Sequence, residues 1–189
     1  MLGATFGNAI PGVPVCGASH PPSVIINVTS LPAGFDHAVL HHFWATGTQY
    51  KIDRMIVEYY LDGEKDPSIA FQPGMMCGTA FPTRLTHDEE YSAGSLCGKS
   101  APVGGWFNTF PIPFYKSALV TVRADPSDGT GCFTGFVNVR GTPGMPLTLP
   151  LSAVPLPQGA RLKLHRNPMY VASPLDFVTS RRSPPAKRA

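Results

Sequence analysis

Arg54-Met55-Ile56-Val57-Glu58-Tyr59-Tyr60-Leu61 carries the period that decides the fold. Met55, Val57, Tyr59 and Leu61 fall on one side and Arg54, Ile56, Glu58 and Tyr60 on the other, the two-residue repeat of a strand. Asp62-Gly63 follows directly and is a strong turn signal. The same reading applies outward from this stretch to Val24–Thr29, Leu119–Arg123, Cys132–Arg140 and Arg161–His165. In the last of these, Leu162 and Leu164 alternate with Arg161, Lys163 and His165. Phe35, Val39, Leu40 and Phe43 also fit helical spacing, but β-branched and aromatic content between Gly34 and Gly47 predicts a strand over Ala38–Ala45.

Composition agrees with a strand-rich chain. Of 189 residues, 21 are Pro and 19 are Gly, too many breakers for a helical protein. Charged residues make up 14% against a usual ~25%, and apolar residues 43%, so the chain has surface enough for a core. About nine short strands separated by turn residues, with no helix longer than two turns, predict an all-β fold. The expected form is a single jelly-roll-like β-sandwich with Pro/Gly-rich loops, and an immunoglobulin-like sandwich is the alternative. The expected organisation is an N-terminal extension over 1–23, the sandwich over 24–179 and a basic, Pro-containing tail over 180–189. Leu147–Pro157 is rich in Pro and reads as an edge strand or a surface loop.

Charge excludes some partners. The net charge is +3, but Arg181, Arg182, Lys187 and Arg188 lie in the tail, leaving 11 basic and 12 acidic groups before it. The body therefore lacks the basic stripe a nucleic-acid site needs. No apolar run is long enough to span a membrane, and Met1–Val15 lacks the basic start of a signal peptide, so localisation stays open. Cys16, Cys77, Cys97 and Cys132 are dispersed without a C-x-x-C pair and read as small buried side chains. Two disulfides would require an oxidising compartment. No metal site with His20, His37, His41 or His42 is expected, and no cofactor.

Hydrolytic motifs are missing too. There is no G-x-S-x-G elbow, and Gly98-Lys99-Ser100 lacks the glycine spacing of a phosphate loop. A glycosidase needs two carboxyl groups flanking one bond. Asp62, Glu64 and Asp66 crowd one turn, where turn formation and solvation account for them, and Asp88, Glu89 and Glu90 form a polar stretch after His87. His41 and His42, adjacent in a strand, should point to opposite faces, so at most one meets a cleft. Trp44, Tyr50, Tyr59, Tyr60, Trp106, Phe107, Phe110, Phe114 and Tyr115 suit either a sugar-stacking platform or a sandwich core.

Four ordered blocks resemble a known family: His41-His42-Phe43-Trp44; Tyr60-Leu61-Asp62-Gly63-Glu64 with Pro67-Ser68-Ile69; Pro73-Gly74 with Gly78; and Gly105-Trp106-Phe107-Asn108-Thr109-Phe110-Pro111-Ile112-Pro113-Phe114. Together they look like the first half of the domain-of-unknown-function 2961 family, which is also glycoside hydrolase family 172. The similarity continues weakly through Leu156–Asn167. The resemblance implies a jelly roll, oligomeric assembly and an enzyme class acting on fructofuranose or arabinofuranose linkages. The family's catalytic glutamates lie in segments of a second jelly roll that this sequence does not contain, so no catalytic residue is carried over. Met75 stands where the family has an acid, Leu61 where it has Trp, and His41 where it has Arg.

The expected function is thus a partial module of this kind, noncatalytic alone and serving assembly or glycan contact. The alternatives are a glycosidase whose site is completed by oligomerisation and a structural, capsid-like jelly roll. Candidate binding residues are His42, Trp44, Asp62, Glu64, Trp106 and Asn108. The expected partners are a carbohydrate, and further copies of the chain or a second jelly-roll chain, with no nucleic acid and no membrane.

Overall fold

The computed structural model describes residues 6–7, 12–47, 49–76, 91–93, 96–99, 105–148 and 152–164. Their strands are β1 (Phe6–Gly7), β2 (Val13–Cys16), β3 (Ser23–Val28), β4 (Ala38–Gly47), β5 (Ile56–Leu61), β6 (Ile69–Phe71), β7 (Tyr91–Ala93), β8 (Cys97–Lys99), β9 (Trp106–Asn108), β10 (Ile112–Phe114), β11 (Ala118–Arg123) and β12 (Cys132–Pro143). Helices are short: α1 (Gln49–Arg54), α2 (Pro73–Met76) and a 3-10 turn at Pro126–Asp128. No helix among the described residues is long and apolar enough to cross a membrane.

The strands form two antiparallel sheets packed face to face. The eight-stranded sheet runs β1-β12-β4-β9-β8-β7, with β2 also on β12 and β10 also on β4, and the four-stranded sheet runs β3-β11-β5-β6. Along the chain, β2, β4 and β12 enter the large sheet while β3, β5, β6 and β11 enter the small one. The core pairings, β2-β12-β4-β9 and β3-β11-β5-β6, are those of a jelly roll, in which a folded-over ribbon winds around one core. The expected all-β sandwich is the observed fold.

Local chemistry explains the elements. In and before β5, Met55, Val57, Tyr59 and Leu61 are all buried, the predicted alternation. Asp62 and Gly63 then take φ of 55° and 83°, and the Glu64 amide donates to the Leu61 carbonyl at 3.0 Å, closing a turn with positive φ at both central residues. In β12, Phe133, Val137 and Val139 point inward, and Thr134, Phe136 and Arg140 outward. Phe43 packs edge-on against Phe71 at 5.4 Å, and Phe71 stacks on Tyr59 at 6.0 Å, tying the sheets together.

Several expectations need correction. Residues 1–23 are not merely an extension, because β1 and β2 pair with β12 inside the large sheet. Cys16 and Cys132, read as small buried side chains, form a disulfide, while Cys97 is buried and free. Arg161–Leu164 is not a strand: Leu162 and Leu164 are exposed, and the segment is held by single contacts such as the Leu164 amide on the Ser68 carbonyl at 3.2 Å. Among the described residues its alternation has no neighbouring ladder to bury one face. Thr148 and Pro155 form one isolated bridge, so the described part of Leu147–Pro157 is a loop. Cys77, the Asp88–Glu90 cluster, His165 and the 180–189 tail lie outside the described residues.

Phe43 is 2% exposed between the sheets. Replacing it with Ala should therefore lower the unfolding free energy by about 3–5 kcal/mol, read from denaturant titration.

Candidate functional site

The site is built on the outer face of the large sheet. Register places Asn138 of β12, Trp44 of β4, Phe107 of β9 and Gly98 of β8 in one cross-strand row. Arg140 stands opposite His42 in the next row on one side, and Phe136 opposite Thr46 on the other. Trp44, Phe107 and Asn138 are half-buried, and Phe136 is 41% exposed. The Trp44 indole lies on the backbone of Gly105, where a Cβ would come within 2.6 Å of its ring, so the missing side chain at 105 lets the ring settle there.

A bulge shapes this face. Arg140 pairs with His42 and Gly141 with Leu40, leaving His41 as the extra residue on β4. Leu40 and Phe43 on either side are both buried. His41 Nε2 lies 3.0 Å from the Thr142 hydroxyl, on the outward side of β12, and His42 faces Arg140. The two histidines therefore share the outer side, contrary to the simple alternation. Partial burial, reinforced by the neighbouring Arg140 and His41, holds the His42 imidazole below its usual range.

On the opposite edge of β4, the ladder passes from β9 to β10 through residues 109–111, leaving a gap beside His42. This gap is a shallow dent, too narrow to enclose a water molecule, lined by Leu40, His42, Phe43, Tyr59, Asn108, Phe110 and Ile112. Pockets that engulf small molecules run to ~300–1,000 Å³. Asn108 lines the dent but points its Oδ1 at the Phe110 amide, 2.8 Å away. Trp106 is buried: its indole N–H donates to Asp53 Oδ1 at 2.5 Å, and Lys99 Nζ lies 5.6 Å from the ring centre and 3.9 Å from the same Asp53 oxygen. Trp106 is therefore core rather than platform, because β9 pairs it with the inward-facing Ala45.

Asp62 and Glu64 lie at the other sheet and serve structure. Asp62 Oδ1 accepts from the amides of Tyr115, Lys116 and Ser117 at 2.7, 2.6 and 3.4 Å. Its Oδ2 lies 3.0 Å from the Arg161 guanidinium, a charge contact whose angle makes no hydrogen bond. The Asp62 side chain is 1% exposed. Glu64 accepts from the Ser68 hydroxyl and faces Arg161 at 3.3 Å and Lys163 at 3.7 Å. That hydroxyl, helped by the two cations, holds the Glu64 carboxyl below its usual range. These partners hold the Glu64 carboxyl toward its ionised form, the opposite of what a general acid requires.

Only His42 and Trp44 of the six candidates share the outer face. Asn138 and Arg140 were not singled out from the sequence, although their outward parity in β12 was visible there. A third grouping joins Cys16, His20 and Cys132, whose sulfur and ring-nitrogen atoms lie within 4.8 Å of one another.

Removing the buried acceptor should be costly: Asp62→Ala should lower stability by about 2–3 kcal/mol in urea titration. Acid should act in the same direction. The Asp125 carboxyl is also depressed: burial opposes the shift, but the Ser127 hydroxyl and amide, Arg54 and Gln72 outweigh it. Depressed folded-state values mean that the unfolded chain binds more protons. The stability from Glu64 and Asp125 is thus fully present above their ordinary values of 4.5 and 3.8 and is lost as pH falls through the lower folded values. Denaturation midpoints measured from about pH 6 to pH 3 should fall with pH, most steeply at the acid end.

No family model matches the chain, and no curated protein matches it.

Proposed function

We propose that the chain is a noncatalytic jelly-roll module, similar to the first half of glycoside hydrolase family 172 enzymes, that contacts carbohydrate through the outer face of its large sheet. The row Asn138-Trp44-Phe107, with His42 and Arg140 beside it, carries the reading. Sugar rings present apolar C–H faces and a rim of hydroxyls, and this row sets aromatic rings among amide, imidazole and guanidinium groups that bond hydroxyls. The engagement of Asp62 and Glu64 in structural contacts supports the noncatalytic part. The furanose preference comes from the resemblance alone.

Titration with arabinofuranosyl and fructofuranosyl oligosaccharides, followed by calorimetry, tests the proposal. Binding should weaken about tenfold in Trp44→Ala, with a smaller loss in His42→Ala. Equal affinity in Trp44→Ala would refute contact through this face. Hydrolysis of an aryl α-arabinofuranoside that disappears on replacing a single carboxylate would refute the noncatalytic assignment.

Phe136 favours a second reading, assembly, because it extends the apolar surface past the polar rim. Light scattering distinguishes the two: a mass that stays at one chain over the accessible concentration range sinks assembly through this face.

A further inference from the structure

We propose that Cys16, His20 and Cys132 form a redox-gated site for a thiophilic divalent metal, closed while the disulfide is intact and opened when a thiol reductant cleaves it. Cys16 ends β2 and Cys132 begins β12, directly opposite each other with Cα atoms 4.1 Å apart. Cys132 and His20 are exposed and Cys16 half-buried, so both a small reductant and a metal ion have access.

Backbone contacts beside the sulfur–sulfur bond also hold the three together. Four ladder pairs join 13–16 to 132–135. The Gly17 amide donates to the Gly131 carbonyl at 3.3 Å, and the Ala124 amide to the Cys16 carbonyl at 2.9 Å. The His20 amide donates to the Gly17 carbonyl at 3.0 Å, turning the chain back so that His20 returns to the cysteines. A Cβ on Gly17 would collide with the Gly129 carbonyl, so glycine allows the two loops to meet. The Ser19 hydroxyl, 3.0 Å from His20 Nδ1, restrains the ring.

The chemistry balances. A dithiol supplies two electrons and two protons, becomes a disulfide itself and leaves two thiols on the protein. Metal binding then releases the two thiol protons. Tetrahedral zinc with Zn–S of about 2.3 Å sets the sulfurs about 3.8 Å apart, a separation that opposed side chains on one ladder reach without moving the strands. Two thiolates and one imidazole leave a fourth position for water.

Full-length protein, oxidised or reduced with a phosphine, should be titrated with Co²⁺ as a spectroscopic substitute for zinc. The reduced protein should develop a near-ultraviolet thiolate-to-cobalt band saturating at one equivalent, and the oxidised protein none. Reduced His20→Ala should bind at least about tenfold more weakly, and Cys16→Ser with Cys132→Ser should show no band, although Cys97 and Cys77 remain. His20 is exposed, so its variant reports on coordination without disturbing the fold. The same band in the double cysteine variant, unchanged affinity in His20→Ala, or no band in the reduced parent would overturn the proposal.

Discussion

The register between β4 and β12 governs most of what is distinctive in this molecule. β12 is the longest strand among the described residues, carries β1 and β2 along one edge and lies against β4 on the other, so the features of the large sheet are measured from it. One extra residue, His41, interrupts that register. Before it, Ala38 and Leu40 face the core; after it, Phe43 and Ala45 do. Without the bulge, one of these pairs would have to face outward, because a one-residue shift reverses every side chain beyond it.

That dependence explains how far the sequence could be read. The β5 alternation and the Asp62-Gly63 turn were legible because each rests on neighbouring residues alone. Side-chain direction in β9 was not, since it follows from pairing Trp106 with Ala45 rather than from anything within three residues of it. Trp44 and Trp106 look alike in sequence, yet one covers the outer face and the other donates to a buried carboxylate. The disulfide was equally hidden: 116 residues separate its halves, and only the antiparallel match of β2 with β12 brings them together. Arg161–Leu164 shows the reverse failure, a good local period with no partner strand among the described residues.

Charge is scarce here, and much of it fastens chain segments together. Arg161 spans Asp62 and Glu64, holding the segment after Ser152 against the β5 turn, while the Tyr115 hydroxyl donates to the Ala160 carbonyl at 2.9 Å. Arg123 reaches Glu58 across β11 and β5 at 3.1 Å, where burial strengthens the attraction and the neighbouring Thr121 and Tyr60 hydroxyls help to satisfy the carboxylate. Asp62 and Glu64 hold the turn position expected of them, although Asp62 is buried rather than solvated, and Glu58 bridges two ladder strands.

The same segment bears on one edge of the small sheet. A sheet edge with unpaired amides and carbonyls is a template on which another chain can add a strand. β6, at one end of the small sheet, has three residues, and the Leu164 amide occupies the Ser68 carbonyl where that strand begins. Arg161 and Lys163, beside it, are tied to Glu64 and hold the segment in place. The arrangement shortens and plugs the margin at once, so a segment that contributes little to the core closes one end of the small sheet.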